Sequence, residues 1–129
     1  MTPTPVPDDR ADRVRAYYGS LPLAAVADAM VAEADRAGID WRLPVVIGML
    51  ESTGGKFACG FNAWGYASCA VSFVSFEMGV RTVAETLAES PYAGQSIPRQ
   101  LCFWNSGGAS WCEPYVAQAI VELGKLGPR

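Results

Sequence analysis

The segment WRLPVVIGMLES, Trp41 to Ser52, constrains the fold more than any other. Its apolar residues Leu43, Val45, Val46, Ile47, Met49 and Leu50 fall on nearly every side of a helix. Such a helix has no face to offer water, so it belongs in the middle of a domain. Asp40 stands before it as a cap, and Gly54-Gly55 stop it. The remaining elements must therefore cover this one. With 129 residues, half of them hydrophobic, the chain can bury one core of useful size.

The covering elements are also helical. Ala11–Tyr18 predicts a short helix capped by Asp8 or Asp9. In GSLPLAAVADAMVAEADRAG, Ser20 is expected to cap and Pro22 to sit in the first turn. There Leu23, Val26, Ala27, Met30, Val31 and Ala34 form the buried stripe, and Gly38 ends it. Ser75 opens a long helix with Phe76, Val80, Val83 and Leu87 inward. Ser96 and Pro98 open a short one running through Trp104, and NSGGAS breaks it. Ser110 to Glu113 has the S-x-x-E capping-box pattern, followed by a last helix with Val116, Ala119, Ile120 and Leu123 inward. Residues 56–74 lose helical period and are rich in glycine and aromatics, which suggests loops and a small hairpin. The expectation is a mainly α (α+β) domain over residues 10–129, with a small irregular or β lobe flanking a cleft. Residues 1–9, with alternating prolines, read as a linker or tail.

Composition removes several kinds of chemistry. Histidine is absent, which excludes Ser-His-Asp and Cys-His catalysis and any histidine base. A net charge of -3 without a Lys/Arg cluster argues against a nucleic-acid partner. No apolar run approaches the ~20 residues of a membrane span. The four cysteines form two pairs, Cys59 with Cys69 and Cys102 with Cys112, with nine residues between the members of each. This is not metal-site spacing, and no metal or cofactor is expected. An even count in a small domain suggests disulfides and an oxidising compartment. Three connectivities are possible, and the near-neighbour pairs close most cheaply. The competing reading is four buried free thiols in a reducing compartment. The N-terminus has no apolar core of a signal peptide, which fits a module of a longer exported protein or a phage-borne protein.

Glu51 is the residue that stands out. A glutamate at a helix end is ordinarily a solvated surface charge, but a cation would suit the C-terminal dipole better. The helix is also too apolar for the surface. Both effects predict a carboxyl with a raised pKa, suited to donating a proton. Asn62, Trp64 and Tyr66 follow closely, and amides with aromatic faces are what hold sugar rings beside a proton-donating carboxyl. Packing of a small lobe is the plainer role for the same three.

ESTGGK, then NAWGY, then SFEMGVRTVAETL together resemble the lysozyme-like glycosidases of bacterial peptidoglycan. The similar groups are the goose-type lysozymes with the soluble lytic transglycosylases, and the endo-glucosaminidases. The resemblance spans residues 21–125. It implies that Glu51 is the catalytic acid and that Ser52 lies near bound sugar. It implies that Asn62, Trp64, Gly65 and Tyr66 line the cleft, and more loosely that Tyr92 and Trp111 contribute aromatic surface. It also implies peptidoglycan strands as partner, a monomer, and a location outside the cell or in the wall. The cysteines lie outside the family pattern.

Two-carboxylate hydrolysis needs a second acid ~5–9.5 Å away. Lys56 to Phe76 contains no Asp or Glu, Glu77 suits a helix N-terminus, and Asp40 is a cap. The resemblance therefore points to the lytic transglycosylase route. One glutamate protonates the glycosidic oxygen and then takes a proton from the muramic acid 6-hydroxyl, closing a 1,6-anhydro ring. Tyr66 or Tyr92 would steady the oxocarbenium-like state. Cleavage of the same β-1,4 bond by a muramidase-type lysozyme stays open beside it, and the alternatives are an endo-glucosaminidase of the same fold and a non-enzymatic wall-binding or phage-tail module.

Overall fold

Six α-helices carry the structure, a computed structural model that describes residues 7–129: α1 (Arg10–Tyr18), α2 (Ala27–Ala37), α3 (Arg42–Ser52), α4 (Phe76–Leu87), α5 (Ile97–Ser106) and α6 (Glu113–Leu126). Most of the expected linker, residues 1–6, lies outside the described residues. The fold is mainly α. Among the described residues the 56–74 lobe forms no strand, only a single antiparallel bridge between Cys59 and Asn62. The expected hairpin is absent because the chain turns back after two residues and then enters left-handed backbone.

The all-round apolar helix is central, as its composition requires. Leu43, Val45, Val46 and Ile47 of α3 are buried, and α2, α4 and α6 pack around it. Asp40 accepts from the Arg42 backbone N–H at 3.0 Å and pairs with the Arg42 guanidinium at 2.7 Å, which fixes the helix entry. The Tyr18 hydroxyl donates to the Val45 carbonyl, joining α1 to α3. Arg10 bridges α1 to α2 through Asp35, and Arg13 donates to the Leu126 carbonyl at the end of α6.

Local signals worked where a cap or a stripe was strong. Ser75 caps α4 and Ser96 caps α5 through backbone N–H groups three residues on. Gly38 ends α2 in the left-handed region, and the whole stripe from Leu23 to Ala34 is buried. Three expectations need correction. Ser20 caps nothing: Pro22–Val26 is a separate 3-10 turn before α2, and the Leu23 N–H, which has no partner within the turn, donates to the Gly54 carbonyl, 2.9 Å away. The Ser110 capping box does not form, since Ser110–Cys112 is itself a 3-10 turn and α6 starts at Glu113. Ile120 is 50 % exposed instead of inward. The buried face of α6 runs through Ala119, Glu122, Leu123 and Leu126. That rotation is held by Glu122, which accepts from the Tyr17 hydroxyl at 2.7 Å and pairs with Lys125 at 2.6 Å.

The lobe is fixed to the helices by Trp64, and one disulfide staples the lobe internally while the other ties α5 to the turn before α6. Cys59 is bonded to Cys69 and Cys102 to Cys112, the near-neighbour pairing. Trp64 has no exposed surface, and its indole N–H donates to the Pro44 carbonyl at 2.9 Å. Two glycines make room for it. A β-carbon on Gly79 would lie 2.5 Å from the Trp64 ring, and one on Gly48 would lie 3.2 Å from its Nε1 and 2.7 Å from Leu23. Gly48→Ala sets this clash against the better helix propensity of alanine. Overpacking of about 1–3 kcal/mol should outweigh a propensity gain of up to about 1 kcal/mol. Urea unfolding is expected to show a net loss of stability; an unchanged or raised midpoint would contradict the close approach of Trp64 to α3.

Candidate active site

Glu51 occupies the last turn of α3, on the wall of a cleft of about 360 Å³. The same cleft is lined by Ser52, Phe57, Asn62, Gly65, Ser68, the Cys59–Cys69 disulfide, Trp104 and Asn105. A smaller compartment of about 120 Å³ adjoins it through Gly65 and Trp104 and is walled by Tyr66, Thr86 and Tyr92. Glu51 remains exposed to solvent, while the protein around it partly desolvates its carboxyl. Burial is the main influence on its titration and pushes its pKa above the ordinary glutamate value. No cation and no second acid acts on it, and no other Asp or Glu lines the cleft.

The partner that does act on Glu51 is Tyr115, in the first turn of α6. Its hydroxyl is buried and has no hydrogen-bond partner at normal bonding geometry. Its titration is raised by burial first and then by the Glu51 charge, while the phenol pulls the Glu51 pKa partly back down. The two groups therefore influence each other's titration without a formed hydrogen bond.

Gly65 meets the acid from the other side. It has φ +63°, and a β-carbon there would lie 2.7 Å from Glu51 Oε2. The glycine of NAWGY is thus required twice, for left-handed backbone and for contact with the carboxylate. Tyr66 follows it into the smaller compartment, where its hydroxyl accepts from Thr86 at 3.3 Å. The Tyr66 and Tyr92 rings flank Trp104 at 6.1 and 6.0 Å between centroids.

Several predicted site residues have other work. Asn62 is 1 % exposed, and its side chain is committed to the loop backbone. It donates to the Tyr66 and Val71 carbonyls at 2.9 and 3.0 Å and accepts from the Tyr66 N–H at 3.1 Å. Trp64 is fully enclosed. Ser52 is buried, donates to the Gly48 carbonyl at 3.0 Å and accepts from the Gly55 N–H at 2.9 Å. These three shape the turn and loop around Glu51, and none has a free polar atom for a ligand. Trp111 is 67 % exposed and lines neither compartment. Of the predicted residues, Ser52, Asn62 and Gly65 line the cleft with Glu51, whereas Tyr66 and Tyr92 line only the smaller compartment beside it.

Sequence reasoning missed Trp104 and Tyr115. Trp104 belongs to both compartments, and its indole N–H donates to the Trp64 carbonyl at 3.0 Å. Its place at the end of a Ser-capped helix, just before NSGG, was the available signal. Tyr115 shares a helical face with Ala119 and Glu122, a pattern that shows only once the true inward face of α6 is known.

No protein-family model, no curated protein and no solved structure matches this chain. Elsewhere, a polar depression of about 250 Å³ between Gly38 and Gln95 has Asp40 as its acid, already paired to Arg42, and offers no reactive group. Among the described residues no group of His, Cys, Asp and Glu could hold a metal ion.

Tyr115→Phe tests the pairing. Loss of the phenol removes the one influence that lowers the Glu51 pKa, so the carboxyl should titrate at higher pH than in the parent. Carbon NMR of the labelled glutamates reads this directly. A Glu51 titration that is unchanged or moves down would show that the phenol does not act on the acid.

Proposed function

We propose that the protein is a peptidoglycan-cleaving glycosidase of the lytic transglycosylase type, with Glu51 as its one acid and base. The observation that carries this reading is a lone carboxyl of raised pKa on a cleft lined by Phe57 and Trp104 and by no other acid. A carboxyl of raised pKa stays protonated long enough to donate to a glycosidic oxygen. As the bond breaks, Glu51 becomes a carboxylate facing an oxocarbenium-like sugar. It then removes the proton of the muramic acid 6-hydroxyl, and that oxygen closes on the anomeric carbon. The proton given in the first step is regained in the second, and no water is consumed. A hydrolase of the two-carboxylate kind would need a second acid in the cleft, and none lines it.

The surrounding residues suit a glycan. Trp104, Tyr66 and Tyr92 offer ring faces to the apolar side of a pyranose, with Thr86 and Asn105 as polar neighbours. Tyr66 or Tyr92, from the adjoining compartment, would supply a phenol oxygen to steady the developing positive charge. Two disulfides fit an oxidising compartment, and among the described residues no helix is long and apolar enough to cross a membrane. Both agree with work outside the cell or in the wall.

Glu51→Gln keeps the shape and removes the proton. Digestion of purified peptidoglycan should slow by at least ~10²-fold. The variant should stay folded, and its stability relative to the parent should improve as pH rises. The sign follows from the raised pKa. The folded protein disfavours the carboxylate, so the parent loses stability as Glu51 ionises, while below the unfolded-state pKa the two proteins should match. Near-parental digestion by this variant would remove Glu51 from the chemistry.

A further inference from the structure

The two disulfides occupy different surroundings. Cys112 is buried, and Cys102 is half-buried with its sulfur 3.5 Å from the Ala109 carbonyl. Cys59 and Cys69 are both exposed, and both line the Glu51 cleft. The backbone at Cys69 is unusual as well. Ala67, Ser68 and Cys69 have φ of 50°, 53° and 66°, three consecutive non-glycine residues in left-handed conformation. For L-residues that conformation brings the β-carbon against the following carbonyl, and runs of it do not persist unless something holds them. Two backbone hydrogen bonds help, from Ser68 to Gly65 and from Ala70 to Ala67. The Asn62 amide clamps the carbonyls of Tyr66 and Val71 at either end. Between those clamps the cross-link to Cys59 is the covalent restraint, and Ser68 and Cys69 form part of the cleft wall.

We propose that the Cys59–Cys69 disulfide is a dithiol-accessible modification site that gates the cleft: closed, it holds Ala67–Cys69 in the left-handed turn that shapes the wall beside Glu51, and reduced, it releases that turn and suppresses turnover. The gating of turnover rests on the glycosidase reading; the selective opening of the turn does not. The reductant is a dithiol. One of its thiolates attacks a sulfur of the pair, forming a mixed disulfide and expelling the other cysteine, which takes up a proton. The second thiolate of the dithiol then displaces the first cysteine, which is also protonated. Two electrons pass to the protein, and the dithiol leaves as its cyclic disulfide. Trp64 stays enclosed between α3 and α4, so release is confined to the stretch between the Asn62 clamps. The rest of the fold does not depend on it.

The test treats the full chain with graded dithiothreitol, then alkylates, maps the labelled cysteines by mass spectrometry, and follows hydrogen exchange and wall digestion in the same samples. Cys59 and Cys69 should be labelled while Cys102–Cys112 remains joined. Amides of residues 65–71 should exchange faster with the helices unchanged, and digestion should fall at least about tenfold as the wall beside the acid shifts. Reoxidation should restore the rate. Cys59→Ser with Cys69→Ser should digest slowly whether or not dithiol is present, and Cys102→Ser with Cys112→Ser should keep the full response. Reduction of Cys102–Cys112 first, or protection of residues 65–71 that is unchanged after reduction, would overturn the proposal. Full digestion by folded protein reduced at Cys59 and Cys69 would overturn the gating. If the oxidised protein digests no wall at all, the glycosidase reading fails, and hydrogen exchange still decides whether the turn opens.

Discussion

The site depends on how Trp64 is held. Its ring fills the space left by Gly48 and Gly79, its indole N–H bonds the Pro44 carbonyl of the central helix, and its own carbonyl receives the Trp104 indole. Burying an indole contributes a few kcal/mol, and the enclosed N–H would carry a penalty of about 1–3 kcal/mol without its acceptor. Placing Trp64 fixes Gly65 one residue on, and Gly65 is what touches Glu51. It also fixes Trp104, which separates the two compartments. One buried side chain thus sets both the distance of the lobe from the acid and the shape of the cleft. A lobe with neither α-helix nor strand of its own can hold a defined wall for this reason.

Glu51 is the counterpart of that packing. The helix that carries it is nearly all apolar, so the acid stands at the edge of the core with no cation beside it. Its ionised form is disfavoured, and the buried Tyr115 phenol offsets only part of this. A site selected for stability alone would place a cation or a neutral side chain at such a helix end. Positions where a protein accepts this kind of electrostatic disadvantage are where catalytic acids are found. The account of function grows from that imbalance together with the aromatic walls around it.

The central helix was legible because its composition leaves one solution. Caps at Ser75 and Ser96 and the αL glycine at Gly38 act within a few residues, so their meaning is local. The split at Pro22–Val26 was not legible, since its Leu23 N–H is satisfied by Gly54, far along the chain, and not by the Ser20 cap the sequence suggests. Glu51 and Gly65 could be picked out, but the roles of Asn62, Trp64 and Ser52 could not. An amide, an indole and a hydroxyl look the same in a sequence whether they bind a ligand or satisfy buried backbone. The left-handed run at Ala67–Cys69 has no sequence marker either, because none of its residues is glycine. Tyr115 was hidden by the rotation of α6 that Glu122 and Tyr17 impose.

The central claim is that one carboxyl both donates and regains the proton, so that the glycan is cleaved without water. Mass spectrometry of the products from purified peptidoglycan tests this most directly. The account predicts fragments ending in 1,6-anhydromuramic acid, each lighter by one water than the hydrolysed product, and their loss in Glu51→Gln. Fragments with free muramic or glucosamine reducing ends, or intact glycan from correctly folded and oxidised protein, would contradict it.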